Sequence, residues 1–186
     1  MPPTQEPPFT SQLRDGDFEV RRYEARTLAK TQVEGEWSTA SNEGFRRLAG
    51  FIFGKNHRKA KIAMTAPVGQ QRGESIPMTT PVGQRQDGTH WTVSFTMPAG
   101  ESLATLPEPD DARVTLEAVL PVTVAVVRFS GTWTPAHMRE RTEALREWVA
   151  ARGLRITGEP EVNRYDPPFK PWFLRRNEVW LPVDGT

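Results

Sequence analysis

The sequence predicts an α+β fold in which a βαββ unit is duplicated with pseudo-twofold symmetry and forms a distorted antiparallel β-barrel flanked by two helices. Three features support this prediction: a repeated segment containing glycine and tryptophan, a helical period after each copy, and strand-like alternation after each helix. The alternative is an ordinary α+β sandwich whose halves are similar by coincidence. Both alternatives place the chain in the α+β class.

The internal repeat relates residues 27–38 to residues 123–134. In each copy a run rich in β-formers ends at a glycine, continues through a tryptophan and reaches a Ser or Thr. Ser38 and Thr134 suit the N-cap position, and Pro135 suits a first helical residue. The corresponding pairs are Gly35 with Gly131 and Trp37 with Trp133.

An amphipathic helix is predicted after each copy, because apolar residues recur three and four positions apart. Gly54 and Gly153 suit the ends of these helices. The buried stripe of the first helix is predicted to be Phe45, Leu48, Ala49 and Ile52. That of the second helix is predicted to be Met138, Leu145, Trp148 and Val149.

Strand candidates follow each helix. The clearest is residues 91–97, whose strict alternation predicts one inward face. That face carries Trp91, Val93, Phe95 and Met97. Further candidates are residues 61–64, 163–165 and 177–181. Two such units can join their sheets edge to edge, and a closed barrel leaves no exposed sheet edge.

The 186 residues suffice for one domain with a substantial core. We expect a flexible Pro-rich tail at residues 1–16 and a single domain at residues 17–186. Its halves are expected at about residues 17–98 and 112–183. Lys and Arg number 24 against 23 Asp and Glu, so the net charge of +1 implies no bulk attraction to nucleic acid.

Composition also limits the chemistry and the location. The chain has no cysteine, which excludes disulfides, thiolate ligation and cysteine-based catalysis. Its first residues lack the basic and apolar regions of a secretory signal. No apolar run approaches the roughly 20 residues that span a bilayer. We therefore expect a soluble, cytoplasmic protein without membrane insertion.

A shorter repeat relates residues 62–70 to residues 76–84, each containing Met-Thr-x-Pro-Val. Proline cannot donate to a strand ladder, so each copy is expected at a strand end or a sheet edge. Met64 and Met78 are then candidates for lining the mouth of a cavity. The alternative is that both methionines fill gaps in the core. A thioether sulfur is also a known axial ligand of haem iron.

Several strings resemble the SOUL haem-binding family. They cover residues 18–23, 54–56, 61–68, 165–168 and 175–180, in the family's order, so the resemblance spans residues 18–183. It implies a barrel of two βαββ units flanked by two helices. It also implies that haem, or another tetrapyrrole or porphyrin, binds in an apolar groove beside the first helix, for haem buffering, transport or sensing.

The resemblance assigns candidate ligand contacts to the first helix. The family's axial histidine position is occupied here by Arg22, so that ligation is not available. The family's basic positions fall on Asn42 and Gly50, and Arg46 and Arg47 are the substitutes for contacts to the propionates. The apolar contacts implied are Phe45, Leu48, Ala49 and Ile52, with Met64 and Met78 as further candidates.

Three histidines remain for the iron: His57, His90 and His137. His57 follows the first helix and is the best placed candidate axial ligand. The alternative for each histidine is an ordinary surface position.

Two other functions stay open. The βαββ duplication also resembles effector-binding domains of the gyrase-inhibitor-like type, in which Glu178 and Trp180 would face a hydrophobic or cationic ligand. A hydrolase using Glu178 as general acid or base is the enzymatic alternative. Glu178 would then be a buried lumen carboxylate, unless it pairs with Arg175 or Arg176. The sequence contains no Ser/His/Asp set, HExxH motif or phosphate loop.

Overall fold

A computed structural model describes residues 5–58 and 73–184. These ranges form two α-helices, one short 3-10 helix at Trp172–Leu174 and twelve strands. The helices are α1 (Trp37–Ile52) and α2 (Pro135–Ala151). The strands are β1 (Phe9–Asp15), β2 (Phe18–Tyr23), β3 (Arg26–Glu34), β4 (Asn56–His57), β5 (Val82–Asp87), β6 (His90–Thr96), β7 (Glu108–Pro109), β8 (Val114–Val119), β9 (Val122–Phe129), β10 (Arg155–Ile156), β11 (Glu161–Arg164) and β12 (Asn177–Asp184).

One curled antiparallel sheet carries the fold. Its strand order is β1-β2-β9-β12-β11-β5-β6-β3-β8, and β10 pairs with β12. Both helices pack on the same face, α1 against β3 and β6, and α2 against β9 and β12. The α+β prediction, with a distorted barrel-like sheet flanked by two helices, is confirmed.

The duplication is visible in the pairing of the strands. The order β3, α1, β5, β6 in the first half repeats as β9, α2, β11, β12 in the second. The halves meet where β5 pairs with β11, and Gln84 lies opposite Val162 in that register. Gln84 also lies opposite Val93, as Val162 lies opposite Val179. Gln84 and Val162 therefore occupy equivalent positions on either side of the pseudo-twofold axis.

The repeated glycines begin each helical connection. Gly35 and Gly131 have φ angles of 110° and 122°, a region that side chains with a Cβ rarely enter. The carbonyl of Gly35 accepts from Trp91 Nε1 at 3.1 Å. The carbonyl of Gly131 accepts from Asn177 Nδ2 at 3.3 Å. Trp91 and Asn177 therefore have the same role in the two halves, since the side chain of each donates to the carbonyl of the repeated glycine.

The helix ends follow local chemistry with one exception. Thr134 caps α2 as predicted, because its side chain accepts from the His137 amide. The predicted cap Ser38 is wrong, because α1 begins earlier and Glu36 is its N-cap without a side-chain bond. Both helices end before the predicted glycines, Gly54 and Gly153, whose φ angles are positive.

The core consists of two clusters beneath the helices and a smaller one on the opposite face. Leu48, Phe51 and Ile52 of α1 pack against the first half. α2 supplies Leu145 and Val149 to the second half. Of the predicted inward residues of β6, Val93 and Phe95 are buried, as is Met97 just beyond the strand, whereas Trp91 is half-buried.

Two predicted segments need separate comment. Phe9–Asp15 form β1, which pairs with β2, so this part of the predicted flexible tail is a strand. Backbone pairing with the exposed edge of β2 supplies the hydrogen bonds that a solvated tail would make to water. The predicted strand at residues 61–64 lies outside the described residues.

Candidate functional site

The outer surface of α1 carries an exposed apolar row. Phe45 is 38% exposed and Phe53, just after the helix, is 66% exposed, with the half-buried Ala49 between them. These residues are four positions apart, so they form a row along the helix of about 12 Å, given a rise of about 1.5 Å per residue. We call Phe45, Ala49 and Phe53 the α1 apolar row.

The α1 apolar row rests on rigid core packing. The ring of Phe45 meets the ring of Phe95 edge-on, with centroids 5.4 Å apart. Leu48 and Ile52, which the sequence analysis grouped with Phe45 as ligand contacts, are 0% and 1% exposed. They lie in the core beneath the row, because their side chains point towards β3 and β6 rather than outwards.

The two neighbouring arginines have different surroundings. Arg47 donates to the carbonyl of Gln32 at 2.9 Å and pairs with Glu43. Arg46 is exposed, and its side chain makes no hydrogen bond or ion pair within residues 5–58 and 73–184. Arg46 is therefore the arginine beside the α1 apolar row that is available to an anionic group.

The candidate axial ligand follows the last residue of the α1 apolar row by four positions in the sequence. His57 is exposed, and its Nδ1 lies 2.7 Å from Asp110 Oδ1 while its Nε2 lies 3.5 Å from Glu108. The hydrogen bond that His57 donates to the Asp110 carboxylate raises the pKa of His57. His90 is similarly paired with Glu34, at 3.0 Å, and His137 contacts the carbonyl of Thr132 at 3.1 Å.

Of the two methionine candidates, Met78 lies within the described residues. Met78 is half-buried and packs against the core cluster beneath α1. Pro81 directly precedes β5, so this copy of the short repeat ends at a strand, as predicted. Met64 lies outside the described residues.

Glu178 lies on the sheet face opposite the helices and is 0% exposed. Its carboxylate accepts six hydrogen bonds. Two come from Arg21 at 2.9 and 3.2 Å, and two from Arg176 at 2.9 and 3.1 Å. The others come from Tyr165 Oη at 2.7 Å and Trp180 Nε1 at 2.8 Å. Of Arg175 and Arg176, it is therefore Arg176 that pairs with Glu178.

This network decides the charge of Glu178. Burial alone raises the pKa of a carboxyl group, but the guanidinium groups of Arg21 and Arg176 outweigh it and the pKa of Glu178 is lowered. The same burial raises the pKa of Tyr23 to about 12. Glu178 is ionised at neutral pH and both of its oxygens are occupied, so the arrangement does not favour proton transfer.

Sequence reasoning missed three features of these sites. Phe53 shares the four-residue spacing of Phe45 and Ala49, and extending that row past the helix end would have found it. Arg21 and Tyr23 alternate with Val20 in β2 and so share the face of Glu178. That alternation is readable in the sequence, but the partner across the sheet is not.

Neither helix in the described ranges combines the length and the apolar character needed to cross a membrane.

Comparison with known sequences identifies the chain's relatives. The family model of the SOUL heme-binding protein matches residues 4–182. Heme-binding protein 2 of Mus musculus is 29% identical over 183 residues, covering 96% of this chain and 84% of that protein. Heme-binding protein 1 of Xenopus laevis is 30% identical over 165 residues, covering 88% of this chain and 82% of that protein.

Comparison with solved structures supports the fold. The C-terminal domain of EcmrR has a TM-score of 0.57 at 12% identity, covering 91% of this chain and 98% of that chain. A hydrolase from Listeria innocua has a TM-score of 0.57 at 14% identity, covering 90% and 92%. At this identity the likeness concerns the fold alone. The family match over nearly the whole sequence is more specific, and the chain belongs to the SOUL heme-binding protein family.

Proposed function

We propose that the chain binds haem, with one face of the macrocycle against the α1 apolar row, and that it acts in haem buffering, transport or sensing. The observation that supports the proposal is the exposed row Phe45, Ala49 and Phe53 on the helix beside which we expect the ligand from the family resemblance. A contiguous exposed apolar patch on a protein surface often marks a contact with a ligand or a partner.

The arrangement suits a planar amphipathic ligand. The row offers an apolar surface about 12 Å long, from the helical rise of about 1.5 Å per residue, which matches the scale of a porphyrin. Arg46 is free among the described residues to pair with a propionate. Arg47 already binds Gln32 and Glu43, so we assign the propionate contact to Arg46 rather than to Arg47.

His57 is the proposed axial ligand. A carboxylate that accepts from one imidazole nitrogen orients the ring for metal binding through the other nitrogen, and Asp110 is positioned in this way. Iron binding at Nε2 would then displace Glu108, which lies 3.5 Å from that nitrogen. Met78 would supply a softer ligand or an apolar wall, and we propose the same role for Met64.

The proposal is tested by titrating the purified protein with hemin and following the Soret band. We expect a shifted band that saturates at about one equivalent, and we expect metal-free porphyrin to bind through the same apolar row. Phe45→Ala combined with Phe53→Ala should weaken hemin binding by about tenfold, since partial burial of two rings contributes about 1–2 kcal/mol. Phe169→Ala is the matched control, because Phe169 is 87% exposed in the C-terminal loop.

The axial ligand is tested separately. His57→Ala should change the position of the Soret band, whereas His90→Ala, which removes a histidine with a similar acidic partner, should not. An unchanged Soret band on adding hemin to the wild type would reject haem binding. A normal complex in His57→Ala would reject only the ligand assignment.

The effector-domain and hydrolase alternatives rely on Glu178. Its six hydrogen bonds leave no free acceptor for a cationic ligand or a reacting proton. No observation favours either alternative over haem binding.

A further inference from the structure

A cleft lies between the two helices, on the opposite side of the molecule from the Glu178 face. Its floor is formed by β5, β6 and β11, and its walls by the beginning of α1 and the side of α2. We call it the inter-helix groove. It encloses about 510 Å³, within the range of small-molecule sites.

Aromatic and apolar groups line one side of the inter-helix groove. Trp37 and Trp91 meet edge to face with centroids 5.0 Å apart, and both are half-buried. Met138 of α2 lies across from them. In the second half the equivalent pair is Trp133 and Asn177, and the Trp133 indole N–H donates to the Asn177 side chain. The fold therefore does not require an aromatic pair here.

The floor holds a polar atom without a partner. Gln84 is 1% exposed, and its amide nitrogen donates to the carbonyl of Trp37 at 3.3 Å. Its Oε1 is buried and accepts no hydrogen bond within the described residues. An unsatisfied buried acceptor is destabilising. The equivalent position in the second half is Val162, so the fold accepts an apolar residue at this point.

One wall provides an unpaired cation. Arg139 of α2 lines the groove and is exposed, and its side chain has no ion pair or hydrogen bond with any residue of the described ranges. Its neighbour Arg146 lies 3.6 Å from Glu143. Arg139 is thus the basic group in the groove that is available to a carboxylate.

We propose that the inter-helix groove binds a small planar aromatic carboxylate that carries an N–H or O–H group. The ring packs against Trp37, Trp91 and Met138. The donor reaches Gln84 Oε1, and the carboxylate pairs with Arg139. The site uses none of the residues proposed for haem, so it does not depend on haem binding.

The test compares two probes by isothermal titration calorimetry. Indole-3-acetate has the ring, the N–H and the carboxylate, whereas 1-naphthaleneacetate lacks the N–H. We expect saturable one-to-one binding of indole-3-acetate, about fivefold tighter than 1-naphthaleneacetate, as one net hydrogen bond provides. Gln84→Leu should abolish this preference while both probes still bind. If Gln84 had a purely structural role, Gln84→Leu would leave the ratio of the two affinities unchanged.

The charge contribution is tested with exposed residues that do not affect folding. Arg139→Gln should weaken both probes by about threefold, whereas Arg14→Gln, on the exposed strand β1, should weaken neither. The proposal is overturned if the wild type shows no saturable binding of indole-3-acetate at millimolar concentration. It is also overturned if Gln84→Leu keeps the preference for the indole.

Discussion

Replacing Glu178 tests whether the buried carboxylate is structural. Glu178→Gln keeps the shape of the side chain but removes its charge, so Arg21 keeps only Glu19 and Arg176 only Glu6 as an anionic partner. Arg21 and Glu178 are both almost completely buried, with side-chain exposures of 5% and 0%. Removing one member of a buried pair costs about 3–5 kcal/mol when the remaining charge is left unpaired in a poorly solvated site, and we expect the lower end here because Glu19 still pairs with Arg21.

The expected loss is measurable by urea or thermal unfolding. A loss of about 3–5 kcal/mol corresponds to a fall in Tm of roughly 6–20 °C for a chain of this size. Glu117→Gln is the control, because Glu117 is 54% exposed and pairs with Lys30 at the surface. An exposed pair contributes about 1 kcal/mol or less.

The pH dependence gives an independent check. The folded pKa of Glu178 lies below 4.5, so its contribution to stability is present above 4.5 and is lost as the pH falls through the folded value. The stability difference between wild type and Glu178→Gln should therefore be constant above that pH and shrink below it. If Glu178→Gln is within about 1 kcal/mol of the wild type at neutral pH, the assignment of a structural ion cluster is refuted.

Three further predictions concern α1 and the haem complex. Gly44→Ala should destabilise the fold by about 1–3 kcal/mol, because the added Cβ would lie 2.5 Å from Val93 Cγ2. Gly50→Ala would meet only the flexible Lys55 side chain, at 3.1 Å, and should stabilise the helix by up to about 1 kcal/mol; equal urea midpoints for the two variants would contradict this. Leu48→Ala should cost about 2–5 kcal/mol and Phe45→Ala clearly less, and a reversed order in thermal unfolding would show that the row and core are misassigned. A protonated imidazole cannot bind iron, and the pKa of His57 is raised above 6.5 in the protein alone. As the pH falls, the proton competes with iron for the imidazole, so the Soret change that depends on His57 should fade in acid and persist at higher pH. If this Soret change appears only on acidification, His57 is not the ligand.

The pattern of the chain was sufficient to predict the architecture. The repeat around Gly35 and Gly131 marks two equivalent strand-to-helix connections, because both glycines adopt positive φ angles. The apolar period and the glycine after each helix indicate where the helices run and end. The N-cap of α1 was misplaced because Glu36 caps the helix without a side-chain bond that a residue preference would reveal.

The sequence was less able to predict which residues of α1 are buried and which are exposed. Phe45, Leu48, Ala49 and Ile52 form one stripe in the sequence, yet the structure buries Leu48 and Ile52 and leaves Phe45 exposed. A helix stripe is wider than the line of contact with the sheet. Which edge of the stripe faces the sheet depends on the position of β3 and β6.

Local sequence therefore determined the fold class, the duplication and the approximate helices, since these follow from periods and turn residues that act over a few positions. Tertiary structure decided which side chains meet across long separations. Glu178 bonds with Arg21, 157 positions away, and Gln84 lies opposite Val162 at the pseudo-twofold axis. Such contacts depend on strand order and register, which bring distant residues together only once the sheet has formed.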